Sequence, residues 1–211
     1  MKNLYPFAIG LLLVSVVFMG CGKTSTSPQN YMKYNNKEYD LSQGIILNGD
    51  SLIQSAEAAA FGHPYVLLLM SKGLVAHGDN GVVDSISGKG SAIMFMLFAN
   101  SANGIDDGSY LFDSLSFAKP GTVSYANAVF DYDVSTATGL EVEVSSGTLT
   151  VKKSGDNYTF NFDCTANTGK GLTGHYEGVV KMVNGNLGAA TVENPSGRVF
   201  KWDFKHTHPG Q

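Results

Sequence analysis

The chain has 211 residues, 43% hydrophobic and 15% charged, with a formal net charge of −4 at pH 7. A weakly acidic balance without a basic patch speaks against a nucleic-acid partner, because nothing in it offers an electrostatic footprint for a phosphate backbone. Two cysteines in this length leave no disulfide framework to rely on, so stability has to come from the core.

The start of the chain follows the order of an export signal: Lys2, then twelve residues from Phe7 to Phe18 interrupted only by Gly10 and Ser15, then Gly20 and Cys21. The apolar run is shorter than the roughly 20 residues a spanning helix needs, and residues 1–20 read as a cleaved signal peptide. Phe18-Met19-Gly20-Cys21 resembles the lipobox of bacterial lipoproteins, with Phe18 and Met19 in place of the usual Leu and small residue, a relaxed form tolerated in Bacteroidota. The resemblance implies cleavage between Gly20 and Cys21 and a diacylglycerol on the Cys21 sulfur. Residues 21–30, rich in Ser, Thr, Gly and Pro, cannot offset the entropy of ordering and read as a flexible tether. In the Bacteroidota lipoproteins that this lipobox resembles, acidic residues just after the cysteine are associated with transfer to the cell surface; Gly22-Lys23-Thr24-Ser25 contain none, so the resemblance implies the periplasmic side of the outer membrane or envelope rather than the cell surface.

Residues 31–205 have the texture of one all-β domain, an antiparallel sandwich or flattened barrel of about ten strands. Tyr31 to Asp40 reads as a hairpin turning at Asn35-Asn36, since Asn tolerates the positive φ of a two-residue turn. Gln43 to Asn48 continues as strand. Ser51-Leu52-Ile53-Gln54 has capping-box spacing ahead of an Ala-rich stretch, predicting one short helix between Asp50 and Gly62.

Two runs, Tyr65–Met70 and Ala92–Phe98, are apolar at every position, so both of their faces need cover. Further on, Thr148–Lys153 and Tyr158–Cys164 flank a turn at Ser154-Gly155-Asp156-Asn157. Tyr158, Phe160, Phe162 and Cys164 share one side of their strand, as do Leu172, Gly174, Tyr176, Gly178 and Val180 of the next. Phe200, Trp202 and Phe204 form the apolar face of the last strand, and residues 206–211 are a tail.

The order of Ser146-Gly147-Thr148, Tyr158-Thr159-Phe160-Asn161-Phe162-Asp163 and Gly171-Leu172-Thr173-Gly174-His175-Tyr176-Glu177-Gly178 resembles uncharacterised Bacteroidota cell-envelope lipoproteins of similar length. Gly90–Phe98 and Gly108–Phe112 resemble their central hairpin. The shared motifs are structural, and the resemblance implies no activity.

Chemistry-bearing residues are sparse. His206 and His208 lie in the tail without further ligands at metal spacing. His175 shares a polar face with Thr173 and Glu177, while His63 and His77 stand at strand ends. Asn103-Gly104-Ile105-Asp106-Asp107-Gly108 lacks the closing Glu of an EF-hand and reads as a turn. Asp131, Asp133, Glu141 and Glu143 are the carboxylates a glycosidase would have to bring face to face. Cys164, on an aromatic strand face, is a small buried hydrophobe and a poor nucleophile.

No catalytic motif, metal site or cofactor site is present in the pattern. Met70, Met94, Met96 and Phe98 supply soft, adaptable side chains for an apolar pocket. The sequence therefore predicts a non-catalytic envelope lipoprotein, held to the membrane by lipid, binding a small apolar molecule, a glycan or an envelope protein. A hydrolase using loop carboxylates and a purely structural envelope protein are the alternatives.

Overall fold

The computed structural model describes residues 29–49, 62–78, 83, 85–113, 119–184, 191–193 and 199–201. The signal peptide, Cys21, the predicted helix before Gly62 and the His206/His208 tail lie outside them. All the described elements are strands: β1 (Tyr31–Tyr34), β2 (Lys37–Asp40), β3 (Gln43–Asn48), β4 (His63–Met70), β5 (Leu74–His77), β6 (Ser85–Ala99) and β7 (Gly108–Phe112). They continue with β8 (Thr122–Asp133), β9 (Thr138–Ser154), β10 (Asn157–Ala166), β11 (Gly171–Asn184), β12 (Thr191–Glu193) and β13 (Val199–Lys201).

Of the two predicted architectures the chain adopts the barrel. Eight strands close a ring in the order β10, β9, β7, β8, β6, β4, β3, β11, and β11 pairs back onto β10. β1, β2 and β5 extend the same sheet, making eleven strands. β12 and β13 form a separate pair, with β12 lying against β6.

Two pairings in the ring are parallel, β11 with β3 and β7 with β8, so the antiparallel expectation holds for the rest of it. β11 changes partners along its length. Leu172–His175 pair with β1 and Val180–Asn184 with β3. Between them the Asn30 side chain stands in for a strand: its Nδ2 donates to Glu177 O (3.0 Å) and its Oδ1 accepts from Glu177 N (2.8 Å).

The local signals translate directly. Asn35 and Asn36 form the β1–β2 turn with φ of 49° and 64°, the left-handed values a two-residue hairpin turn demands. Gly155-Asp156 joins β9 to β10. Gly174 in β11 is required by close approach, because a Cβ there would lie 2.1 Å from the Phe162 ring across the barrel wall.

The likeness of β6 and β7 to a hairpin does not hold. β7 is a wedge between β8 and β9 and does not pair with β6. The intervening loop crosses the barrel mouth, so the chain emerges beyond β8 rather than turning back beside β6.

Alternate residues of each strand point into the lumen, where they form one continuous core that includes Leu67, Leu69, Ile93, Phe95, Leu97, Leu149, Phe160, Phe162 and Cys164. Phe95 meets Phe162 across the interior with ring centroids 5.4 Å apart. An eight-stranded barrel is just wide enough for its own side chains to fill. A second apolar cluster lies outside the wall, on the other face of the same strands: Ile45, Leu47, Val66, Leu68, Met70, Met94, Met96 and Phe98. The two all-apolar runs thus have both faces buried, as their composition requires.

Candidate functional site: the outer wall of a filled barrel

Both mouths of the barrel are closed by the chain itself. At one end the loop after β6 drives Ile105, 1% exposed, into the lumen core. Tyrosine hydroxyls tie this loop down. Tyr65 OH donates to Ser101 O (3.1 Å) and accepts from Gly104 N (2.8 Å), while Tyr110 OH donates to Asp106 O (3.1 Å) and accepts from Asp106 N (3.1 Å). Burial, helped by the Asp106 charge, pushes the Tyr110 phenol up to about 12.

The loop carboxylates are occupied in the same structural task. Asp106 Oδ2 accepts from Asn100 N (2.8 Å) and Ser101 N (3.0 Å), and Asp107 Oδ1 accepts from Lys153 N (2.6 Å). At the opposite end the β1–β2 hairpin folds under the lumen. Tyr34 stacks on Phe130 at 5.0 Å, Tyr39 tilts against the same ring at 4.7 Å, and Lys37 Nζ reaches Asp131 Oδ2 at 2.6 Å in an exposed ion pair.

The remaining candidates scatter. His175 Nδ1 lies 2.7 Å from Asn161 Oδ1 and its Nε2 3.9 Å from Glu177, on a polar outer face as its alternation predicts. His77 Nε2 lies 2.6 Å from Ser87 Oγ, and His63 opens β4 opposite Ala99. Asp133 accepts from Ser135 in a turn, which holds its carboxyl below the usual range. Cys164 is buried in the lumen, and desolvation pushes its thiol up to about 11, so it is protonated at neutral pH. Among the described residues no three His, Cys, Asp or Glu side chains gather to hold a metal.

Met70, Met94, Met96 and Phe98 share the outer cluster and are 8% exposed or less. They face away from the lumen. Two polar flanks border this layer. On the β3 and β11 side a groove of about 360 Å³ opens to solvent, lined by Gln43, Ile45, His77, Val83, Val179 and Lys181. That volume is at the lower end of small-molecule sites. Val179 is 65% exposed beside it, an apolar side chain left in water.

On the β8 and β9 side, register sets Met94, Asn127 and Glu143 in one row across three strands and Ala92, Val129 and Glu141 in the next. Asn127 Nδ2 donates to Glu141 Oε1 at 2.9 Å, and Asn127 Oδ1 is buried without a partner among the described residues. Burial raises the neighbouring Tyr125 phenol above its ordinary value, and the Glu143 charge adds to that while the Asn127 amide opposes it.

Glu141 and Glu143, which sequence alone leaves unplaced, therefore lie on one outer strand face. Asn127 is the residue sequence reasoning misses; its signal is a lone amide between Ala126 and Ala128 in an otherwise apolar strand centre. Compared with protein-family models, with curated proteins and with solved structures, the chain has no significant match.

Proposed function

We propose that this chain is a lipid-anchored, non-catalytic binding protein of the cell envelope, tethered through acylated Cys21 on the periplasmic side, and that it holds its ligand on the outer wall of a solid barrel. The order of Lys2, apolar core, Gly20 and Cys21 supports the anchor. The closed, filled lumen carries the binding reading. With its interior taken up by its own side chains the barrel is a rigid scaffold, and the concave and polar-rimmed surfaces lie outside it. A ligand with an apolar part fits in the groove, where exposed Val179 stands beside Gln43, His77 and Lys181.

Replacing Cys21 with Ser tests the anchor. The expected result is a shift of the chain from the membrane to the soluble fraction, together with loss of the acyl mass from its N-terminus. Unchanged membrane retention contradicts it. Mass spectrometry of small molecules that copurify with the full chain tests the binding role, and a chain that carries none after gentle extraction counts against that role.

A further inference from the structure

We propose that the groove between β5, β3 and β11 binds the C-terminal end of a short extended peptide, whose amide pairs with the free edge of β5 and whose carboxylate meets Lys181. The inference rests on the outer-wall reading above and adds the chemistry of the ligand.

The free edge follows from the β5–β6 ladder. Lys89 N donates to Gly73 O (3.0 Å), and the register continues through Leu74–Gly88, Val75–Ser87, Ala76–Ile86 and His77–Ser85. In an antiparallel ladder every second residue turns its N–H and C=O to the partner strand, and the residues between turn theirs away. Gly73, Val75 and His77 therefore face β6, whereas Leu74 and Ala76 face the opposite edge. Leu74 is satisfied there: its N–H donates to Ser71 O (3.2 Å) and its C=O accepts from Gln43 Nε2 (2.5 Å). Ala76 is the next rung and lines the groove. Among the described residues no hydrogen bond reaches its outward N–H or C=O.

The Gln43 contact shows what suits this edge. A side-chain amide from β3 completes the Leu74 rung, and a ligand amide offers Ala76 the same chemistry: an N–H for its carbonyl and a C=O for its N–H.

The other lining residues select the end of a peptide. Val179 and Lys181 are two positions apart on β11, project from one face of it and are both exposed. Among the described residues that line the groove Lys181 is the one lysine or arginine, and no Asp or Glu stands with it. No carboxylate of the described residues lies within ion-pair distance of Lys181. The His77 imidazole is engaged by Ser87 Oγ at 2.6 Å, which leaves the Lys181 ammonium as the available cation. An apolar side chain for Val179 and a carboxylate for Lys181 are what a peptide ending in valine or leucine carries on its last residue. The groove's volume of about 360 Å³ suits a ligand of that size.

Calorimetric titration of the full chain in non-ionic detergent tests this with four probes: N-acetylalanylvaline, its C-terminal amide, its analogue N-methylated at the alanine, and isovalerate. The free acid is expected to bind at one site, at least about tenfold more tightly than each of the other three. Lys181→Met, at an exposed position, should bring the acid down to the level of its amide. Ala76→Pro removes the groove-facing N–H from an edge strand, where proline is tolerated, and should weaken the acid by about tenfold. In the unaltered chain the Ala76 amide should exchange with solvent freely and gain protection when the acid binds. Equal affinity for acid and amide would overturn carboxylate recognition, and isovalerate binding as tightly as the acid would overturn the peptide; both leave outer-wall binding standing. Binding of no probe would overturn the inference outright.

Discussion

The β4–β6 wall and the β10–β11 wall belong to one barrel but read differently at every second residue. In β10 the lumen side holds Tyr158, Phe160, Phe162 and Cys164, while the other side holds Thr159, Asn161 and Asp163 in contact with water. In β4 the lumen side holds Tyr65, Leu67 and Leu69, and the other side Val66, Leu68 and Met70, all buried. A strand with one core alternates; a strand between two apolar layers cannot. The lesson is that the second layer lies outside the barrel, so that the outward positions of β4, unlike those of β10, are apolar and buried.

The sharpest way to break this comparison is one and the same residue type placed on both walls. Leu68→Asp puts an unpaired charge into the outer layer and is expected to cost on the order of 4 kcal/mol or more, enough to abolish folding. Asn161→Asp, at the outward position of β10, is expected to stay within about 0.5 kcal/mol. Chemical denaturation of both variants decides it, and similar losses would mean the walls do not differ.

Next in size come truncations that weigh the two layers against each other. Phe160→Ala in the lumen is expected to cost about 3–5 kcal/mol, and Met96→Ala in the outer layer about 2–5 kcal/mol. A cost for Met96→Ala below about 0.5 kcal/mol, the level of a surface change, would reduce the outer layer to surface.

The smallest effect is a titration. Tyr110 rises from 10.0 to about 12 and Cys164 from 9.0 to about 11, both chiefly through burial. The folded state holds these protons more tightly than the unfolded chain does. Stability is therefore intact below pH 9 and declines as pH rises through 9 to 12. Denaturation midpoints followed from pH 8 to 12 should fall, and Cys164→Ala should remove the part of the decline that begins near pH 9.

Much of the fold is legible from sequence wherever its cause is local. The Asn35-Asn36 and Gly155-Asp156 turns follow from φ preferences, and the alternation of β10 and β11 gives the lumen faces. The all-apolar runs Tyr65–Met70 in β4 and Ala92–Phe98 in β6 announce burial on both sides. What stays hidden is the closure, because the parallel pairing of β3 with β11 joins residues more than a hundred positions apart and leaves no local trace. The place of β7 is hidden for the same reason, since a mouth-crossing loop and a hairpin loop share the same Gly, Asn and Asp.

The candidate site divides likewise. Met94 and Met96 stand out by composition, but only cross-strand register reveals that they face outward and share rows with Asn127 and Glu143. Only the packing reveals that Asn127 Oδ1 is buried and, among the described residues, has no partner.

The central claim, that ligands meet the outer wall of a filled barrel and never its lumen, is tested most directly by NMR of ε-methyl-labelled methionines. Met32 lies in the lumen core, while Met70, Met94 and Met96 lie in the outer layer. Titration with a panel of small aromatic amines, alcohols and acids is predicted to shift the outer methyls and leave Met32 still. A shift at Met32 with Met70, Met94 and Met96 unmoved would contradict the account.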